Sequence, residues 1–94
     1  MKKIKTFETA ENKYSLKFGI NQLVAIEQEL GSLAALEQEM KFGNIVTIFH
    51  QGLRGFDRKV TADQAGEIMD EILEEMTFEQ FIEELMEAFN GNFQ

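Results

Sequence analysis

"NIVTIFHQGLRG", residues 44–55, is the stretch that decides how this chain folds. Ile45, Val46, Ile48, Phe49 and Leu53 make it apolar almost all round, and a helix of that kind has to be covered by other elements. Asn44 can cap such a helix at its start, and Gly52 or Gly55 can end it. A central core helix is therefore predicted here, with the rest of the chain as its covering.

Towards the C-terminus the punctuation is regular. Thr61 with Gln64, and Thr77 with Gln80, have the spacing of a capping box, in which each threonine and glutamine satisfies a free backbone N–H of the other's residue. Two amphipathic helices follow from them. The first has Ala65, Ile68, Met69, Ile72, Leu73 and Met76 on its stripe. The second has Phe78, Phe81, Ile82, Leu85 and Phe89, closed by Gly91. Residues 92–94 read as a frayed tail.

Towards the N-terminus, Asn21 is expected to cap a helix over about 22–30, with Leu23, Val24, Ile26 and Leu30 on one side and Gly31 in the left-handed position that ends it. Ser32 then caps a short helix with Leu33, Leu36 and Met40 inward, until Phe42 and Gly43 interrupt. Before these, Ile4 and Thr6 alternate with Lys3, Lys5 and Phe7, and Tyr14, Leu16 and Phe18 alternate with Lys13, Ser15 and Lys17. With Ala10, Glu11 and Asn12 between them, the two runs predict a β-hairpin. A lone hairpin is marginal in water, so its apolar face must pack on the helices or be extended by another chain.

The predicted class is mainly α (α+β): a β-hairpin over 1–19 and about five short amphipathic helices over 20–91, in one domain. The 94 residues contain no proline, repeat or low-complexity linker that would divide them. At this length folding buries roughly 60 to 65 % of the surface of the unfolded chain, so association with itself or with a partner would add stability.

Charge is placed unevenly. All nine basic residues lie in 1–61 against seven acidic ones, whereas 62–94 carries ten acidic residues and none basic, a net of −10. A polyanion is repelled by that balance, so direct nucleic-acid binding is not expected. No cysteine is present, which removes disulfides, thiolate metal sites and a cysteine nucleophile. The initial lysines are followed by polar residues before any signal-like apolar run, and no segment approaches the ~18 apolar residues of a membrane span. A soluble cytoplasmic protein is expected.

Catalytic and metal patterns do not assemble. His50 has Val46, Thr47, Leu53 and Arg54 at helical spacing and no carboxylate to orient it as a base. The Glu-x-x-His of a carboxylate-bridged metal site would need glutamate where Thr47 stands. The acidic pairs Glu71/Glu75, Glu79/Glu83 and Glu83/Glu87 are what any strongly acidic helix shows. Asp57 and Asp63 begin like a calcium loop, but Ala62 and Ile68 occupy the places of its glycine and its bidentate glutamate. The glycines form no phosphate-cradling pattern. Ser32 resembles the attachment serine of acyl carrier proteins in opening a helix, yet Gly31 stands where that family has aspartate, and a helix cap accounts for it. No enzyme activity, cofactor or metal is expected.

A wider resemblance covers most of the chain. The runs "KFGINQLVAIEQELG" at 17–31, "FHQGLRG" at 49–55 and "VTADQAGEIMDEI" at 60–72 resemble the tail assembly chaperones of long-tailed bacteriophages, prophages and gene transfer agents. The shared pattern is a strand leading into phenylalanine-glycine and a helix ending in leucine-glycine. An apolar helix ending in glycine-leucine follows, then threonine and a helix that starts with an alanine-glycine pair. The last helix, 78–90, has no residue-by-residue counterpart.

This resemblance implies a non-catalytic protein of the bacterial host cytoplasm. Its client would be the tape measure protein of the same phage or prophage, kept soluble until tail tube subunits polymerise around it. It also allows a homo-oligomer, joined edge to edge through the hairpin. A long amphipathic helical client suits helix-in-groove contacts, and methionine adapts to variable partners. The candidate partner-binding residues are Met69, Met76, Phe81, Leu85, Met86 and Phe89; core is the alternative reading of the methionines, favoured at Met69 more than at Met86. The competing class is a small acidic regulator or inhibitor from a mobile element, with the −10 segment mimicking nucleic acid.

Overall fold

The computed structural model describes residues 4–31 and 41–90. An antiparallel ribbon of β1 (Ile4–Glu8) and β2 (Lys13–Lys17) leads into four described helices, α1 (Ile20–Leu30), α2 (Phe42–Arg54), α3 (Ala62–Ile72) and α4 (Phe78–Asn90). The hairpin and the mainly helical α+β class are as the sequence predicts. About five helices were expected. The one predicted from Ser32, with Leu33, Leu36 and Met40 inward, lies outside the described residues, as do Gly91 and the tail 92–94. No helix among the described residues is long and apolar enough to cross a membrane.

α2 is the hub. It touches β2, α1, α3 and α4, and it buries Ile45, Ile48, Phe49 and Leu53. Its start differs from expectation. Phe42 and Gly43 do not interrupt a helix but start this one, with Lys41 extended at the N-cap and Asn44 already inside the first turn. Of the two glycines expected to end it, Gly52 lies inside the helix, which continues to Arg54, and Gly55 is the C-cap. A Cβ at Gly52 would stand 2.7 Å from Phe18 Cζ and 3.2 Å from Leu16 Cβ. Gly55, in right-handed conformation, has the Lys17 carbonyl oxygen where its Cβ would be. Both glycines let the end of β2 lie directly on the helix.

The ribbon is held in the register Ile4↔Lys17, Lys5↔Leu16, Thr6↔Ser15, Phe7↔Tyr14 and Glu8↔Lys13. Side chains alternate between the faces of a strand, so Lys5, Phe7, Tyr14 and Leu16 share the inner face. Phe7 and Leu16 are buried, whereas Ile4 points outward and is 59 % exposed. Lys5 is the charged member of the inner face. Its Nζ pairs with Glu84 of α4 at 2.5 Å and lies 5.4 Å from the centroid of the Phe7 ring.

Beneath the ribbon, three rings from three elements meet. Phe7 of β1 stacks edge-on to Phe49 of α2 at 6.0 Å and tilts against Phe81 of α4 at 5.2 Å, while Phe49 and Phe81 are 5.3 Å apart. Phe18 and Phe89 form a separate edge-on pair at 5.5 Å. Such contacts add to the burial of each ring and define how the elements seat.

Helix starts show which sequence signals were sufficient. Both capping boxes form: Thr61 Oγ1 accepts from the Gln64 N–H at 3.1 Å and Gln64 Oε1 from the Thr61 N–H at 2.9 Å, and the Thr77/Gln80 pair repeats this at 3.1 Å in each direction. α1 starts earlier than predicted. Gly19, not Asn21, is its extended N-cap, with the Gly19 N–H donated to Gln22 Oε1 at 2.8 Å. Gly31 ends α1 in left-handed conformation with φ 84°, as expected. Val24, predicted on the apolar side of α1, is exposed, leaving Leu23, Ile26 and Leu30 to face the core.

Candidate functional site

An open groove with an apolar floor is built from three segments of the helical part. On α2, Phe42 and Val46 are one turn apart and share a face; Met69 of α3 and Leu73 at its C-cap line the opposite side, and Phe78, the first residue of α4, closes one end. Together they line a groove of about 530 Å³. Phe42 is 71 % exposed although it is a large aromatic residue, and its ring stacks at a tilt on that of Phe78, 5.0 Å away. The wall on α3 is low because Gly66 stands there with no atom within 4 Å of where its Cβ would be.

Carboxylates line the rim. Asp63, Glu67 and Asp70 follow one another at three- and four-residue spacing along α3, beside Gly66. The groove therefore joins an apolar floor to a negative edge. That combination accepts an amphipathic helix that carries lysine or arginine next to its apolar stripe.

Four of the six residues singled out from the sequence as partner contacts lie in the core. Phe81 and Leu85 are fully buried, Phe89 is 3 % exposed against Phe18, and Met69 is buried with its side chain at the groove floor. Met76 and Met86 are partly buried against the same core. The buried residues of the α4 stripe pack against the ribbon and α2. The six do not make one surface. Only Met69 reaches the groove.

Sequence reasoning missed Phe42, Val46, Leu73 and Phe78 as a set. The signal was present in the spacing of Phe42 and Val46, but taking Asn44 as the cap placed Phe42 outside the helix. Gly66 carried a second signal, since a glycine in a helix interior weakens it and asks for a reason of its own.

The remaining polar candidates have structural partners. Nε2–H of His50 donates to the Val60 carbonyl at 2.7 Å and thereby ties α2 to the segment that leads into α3. Asp57 turns its carboxylate onto the Lys59 N–H at 3.0 Å, an Asx-turn contact. Glu71 is the most heavily bonded acid. It accepts from Thr9 Oγ1 at 2.5 Å, Tyr14 OH at 2.8 Å and Asn12 Nδ2 at 3.2 Å, and Glu75 accepts from the Ala10 N–H at 2.7 Å. These bonds pin the hairpin turn to α3. The Thr9 bond, then the Tyr14 bond, hold the Glu71 carboxyl below its usual range against a smaller opposing effect of burial, and the same bond to Glu71 raises the Tyr14 hydroxyl. Among the described residues no group of three or more His, Cys, Asp or Glu side chains converges as metal ligands would.

The chain matches no protein-family model, no curated protein and no solved structure. The geometry of the groove, together with the resemblance noted in the sequence, is what bears on function.

Proposed function

We propose that this chain is a non-catalytic binding protein that takes an amphipathic helix of a client into the groove between α2, α3 and the start of α4. We further propose that it acts as a phage tail assembly chaperone in the bacterial cytoplasm, with the tape measure protein of its own phage or prophage as the client. The observation that carries the reading is the exposed Phe42 ring, stacked on Phe78 above a floor of Val46, Met69 and Leu73 and edged by Asp63, Glu67 and Asp70.

An exposed phenylalanine next to a cleft has a burial free energy that only a partner can recover, about 1.5–3 kcal/mol for a side chain of this size. A helical client would place apolar residues at i, i+3, i+4 and i+7 on the floor, with Met69 adapting to irregular shapes. The rim carboxylates would pair with basic residues flanking that stripe. The ten acidic residues of 62–94 would keep a loaded complex soluble by mutual repulsion.

The test is co-expression with the tape measure protein of the same element. The soluble fraction of the tape measure protein should rise with the wild-type chain and not with F42D. If the two behave alike, the groove is not the client site. A nucleic-acid mimic would instead displace DNA or RNA from a basic partner and leave tape measure solubility unchanged.

A further inference from the structure

A second cavity lies on the other side of α2, where its last turn faces the first turn of α1. It measures about 200 Å³ and is lined by Asn21, Gln22, Ala25, Gln51, Arg54 and Arg58. Its chemistry is opposite to that of the groove. No acidic residue lines it, although the chain has a net charge of −8.

Two features are unexplained by the fold. Arg54 and Arg58 converge here with no carboxylate on them; the ion pairs among the described residues are Lys5–Glu84 and Lys13–Glu8. Gln51 is 5 % exposed, the buried polar side chain of the described core, and its amide has no hydrogen-bond partner there. A buried amide left unpaired is destabilising, and such groups are rare in folded proteins unless something outside the chain completes them. The free backbone N–H groups at the start of α1 add partial positive charge on the facing side.

We propose that this cavity is a carboxylate subsite that receives the side chain of an aspartate or glutamate from a protein partner. The planar guanidinium fork of Arg58 matches a carboxylate in two parallel bonds, the Gln51 NH₂ supplies a third donor, and Arg54 adds positive charge beside them. The volume, about 200 Å³, suits the end of one acidic side chain. The proposal is independent of the client reading, because none of its residues lines the groove.

The test follows the side-chain amide signal of Gln51 in the ¹⁵N-labelled full chain. N-acetylglutamate amide, acetate and inorganic phosphate are added separately at constant ionic strength, with chloride as the reference. Saturable shifts of the Gln51 amide are expected with N-acetylglutamate amide and with acetate. They should be lost in R58A and weakened in R58K, with the rest of the spectrum unchanged; Arg58 is exposed, so both variants keep the fold. A shift that does not saturate, or that persists in R58A, overturns the site. Saturation by phosphate alone overturns the carboxylate assignment, and saturation by acetate without N-acetylglutamate amide overturns the side-chain source.

Discussion

The carbonyl oxygen of Lys17 occupies the place where a Cβ on residue 55 would stand, so β2 and α2 meet backbone to backbone at Gly55. One turn earlier Gly52 receives the Phe18 ring in the same way. The short path from strand to helix hub rests on these two absent methyl groups.

Alanine at either position should therefore destabilise the chain, and to different degrees. At Gly52 the obstacle is a buried ring, and overpacking of that kind costs about 1–3 kcal/mol. At Gly55 it is backbone, which cannot rotate away, so G55A should lose more than G52A. G43A is the control, because the space around Gly43 is open. Denaturant midpoints for the three variants give the ranking.

Gly66 predicts the opposite sign. It lies inside α3 with open space at its Cβ position, and alanine is favoured over glycine in a helix interior by roughly 0.5–1 kcal/mol. G66A should raise the melting temperature. G66L should also fold, but its side chain would fill the groove, so binding of a helical client should fall while the circular dichroism spectrum stays unchanged.

F42D and F89D separate surface from core. Phe42 is mostly exposed, so the aspartate should leave the helical signal intact and remove client binding. Phe89 packs edge-on against Phe18 and is buried. A carboxylate there has no partner, and F89D should unfold the chain or lower its midpoint by an amount typical of lost aromatic core packing, about 3–5 kcal/mol.

How much of this was legible in the sequence depends on how local the signal is. The Thr61/Gln64 and Thr77/Gln80 boxes and the left-handed Gly31 involve residues three apart or fewer, and they formed as read. The hub role of α2 was legible because Ile45, Ile48, Phe49 and Leu53 leave it little surface for water. The parity of β1 was not legible. Ile4 and Phe7 lie on opposite faces, and only contact with Phe49 and Phe81, far away in sequence, decides that Phe7 goes inward. Gly52 misled for the same reason: it resembles a helix end, whereas Gly55 is one, and the close approach both allow appears only once β2 is laid on α2. A stripe such as Phe81, Leu85 and Phe89 has the same spacing whether it faces the chain's own core or a partner, and only the folded chain shows these three residues buried.

Acid should loosen the hairpin turn before the rest of the fold. The bonds from Thr9, Tyr14 and Asn12 depress the folded pKa of Glu71 below its unfolded value. Its contribution is therefore present above the unfolded carboxylate range and is lost as pH falls through the folded value. Amide exchange at residues 9–12 should accelerate over that acid window. In E71Q it should already be faster at neutral pH and less dependent on pH.

If the groove above Val46, Met69 and Leu73 holds a client helix, as proposed, a photo-crosslinking residue at position 42 will capture that client in cells producing phage particles. Crosslinks to a very long helical protein, the tape measure protein, are expected, and so is their loss when Gly66 is replaced by leucine. Crosslinks solely to a short basic nucleic-acid-binding protein, or tape measure crosslinks that the Gly66 substitution does not change, would contradict the proposal.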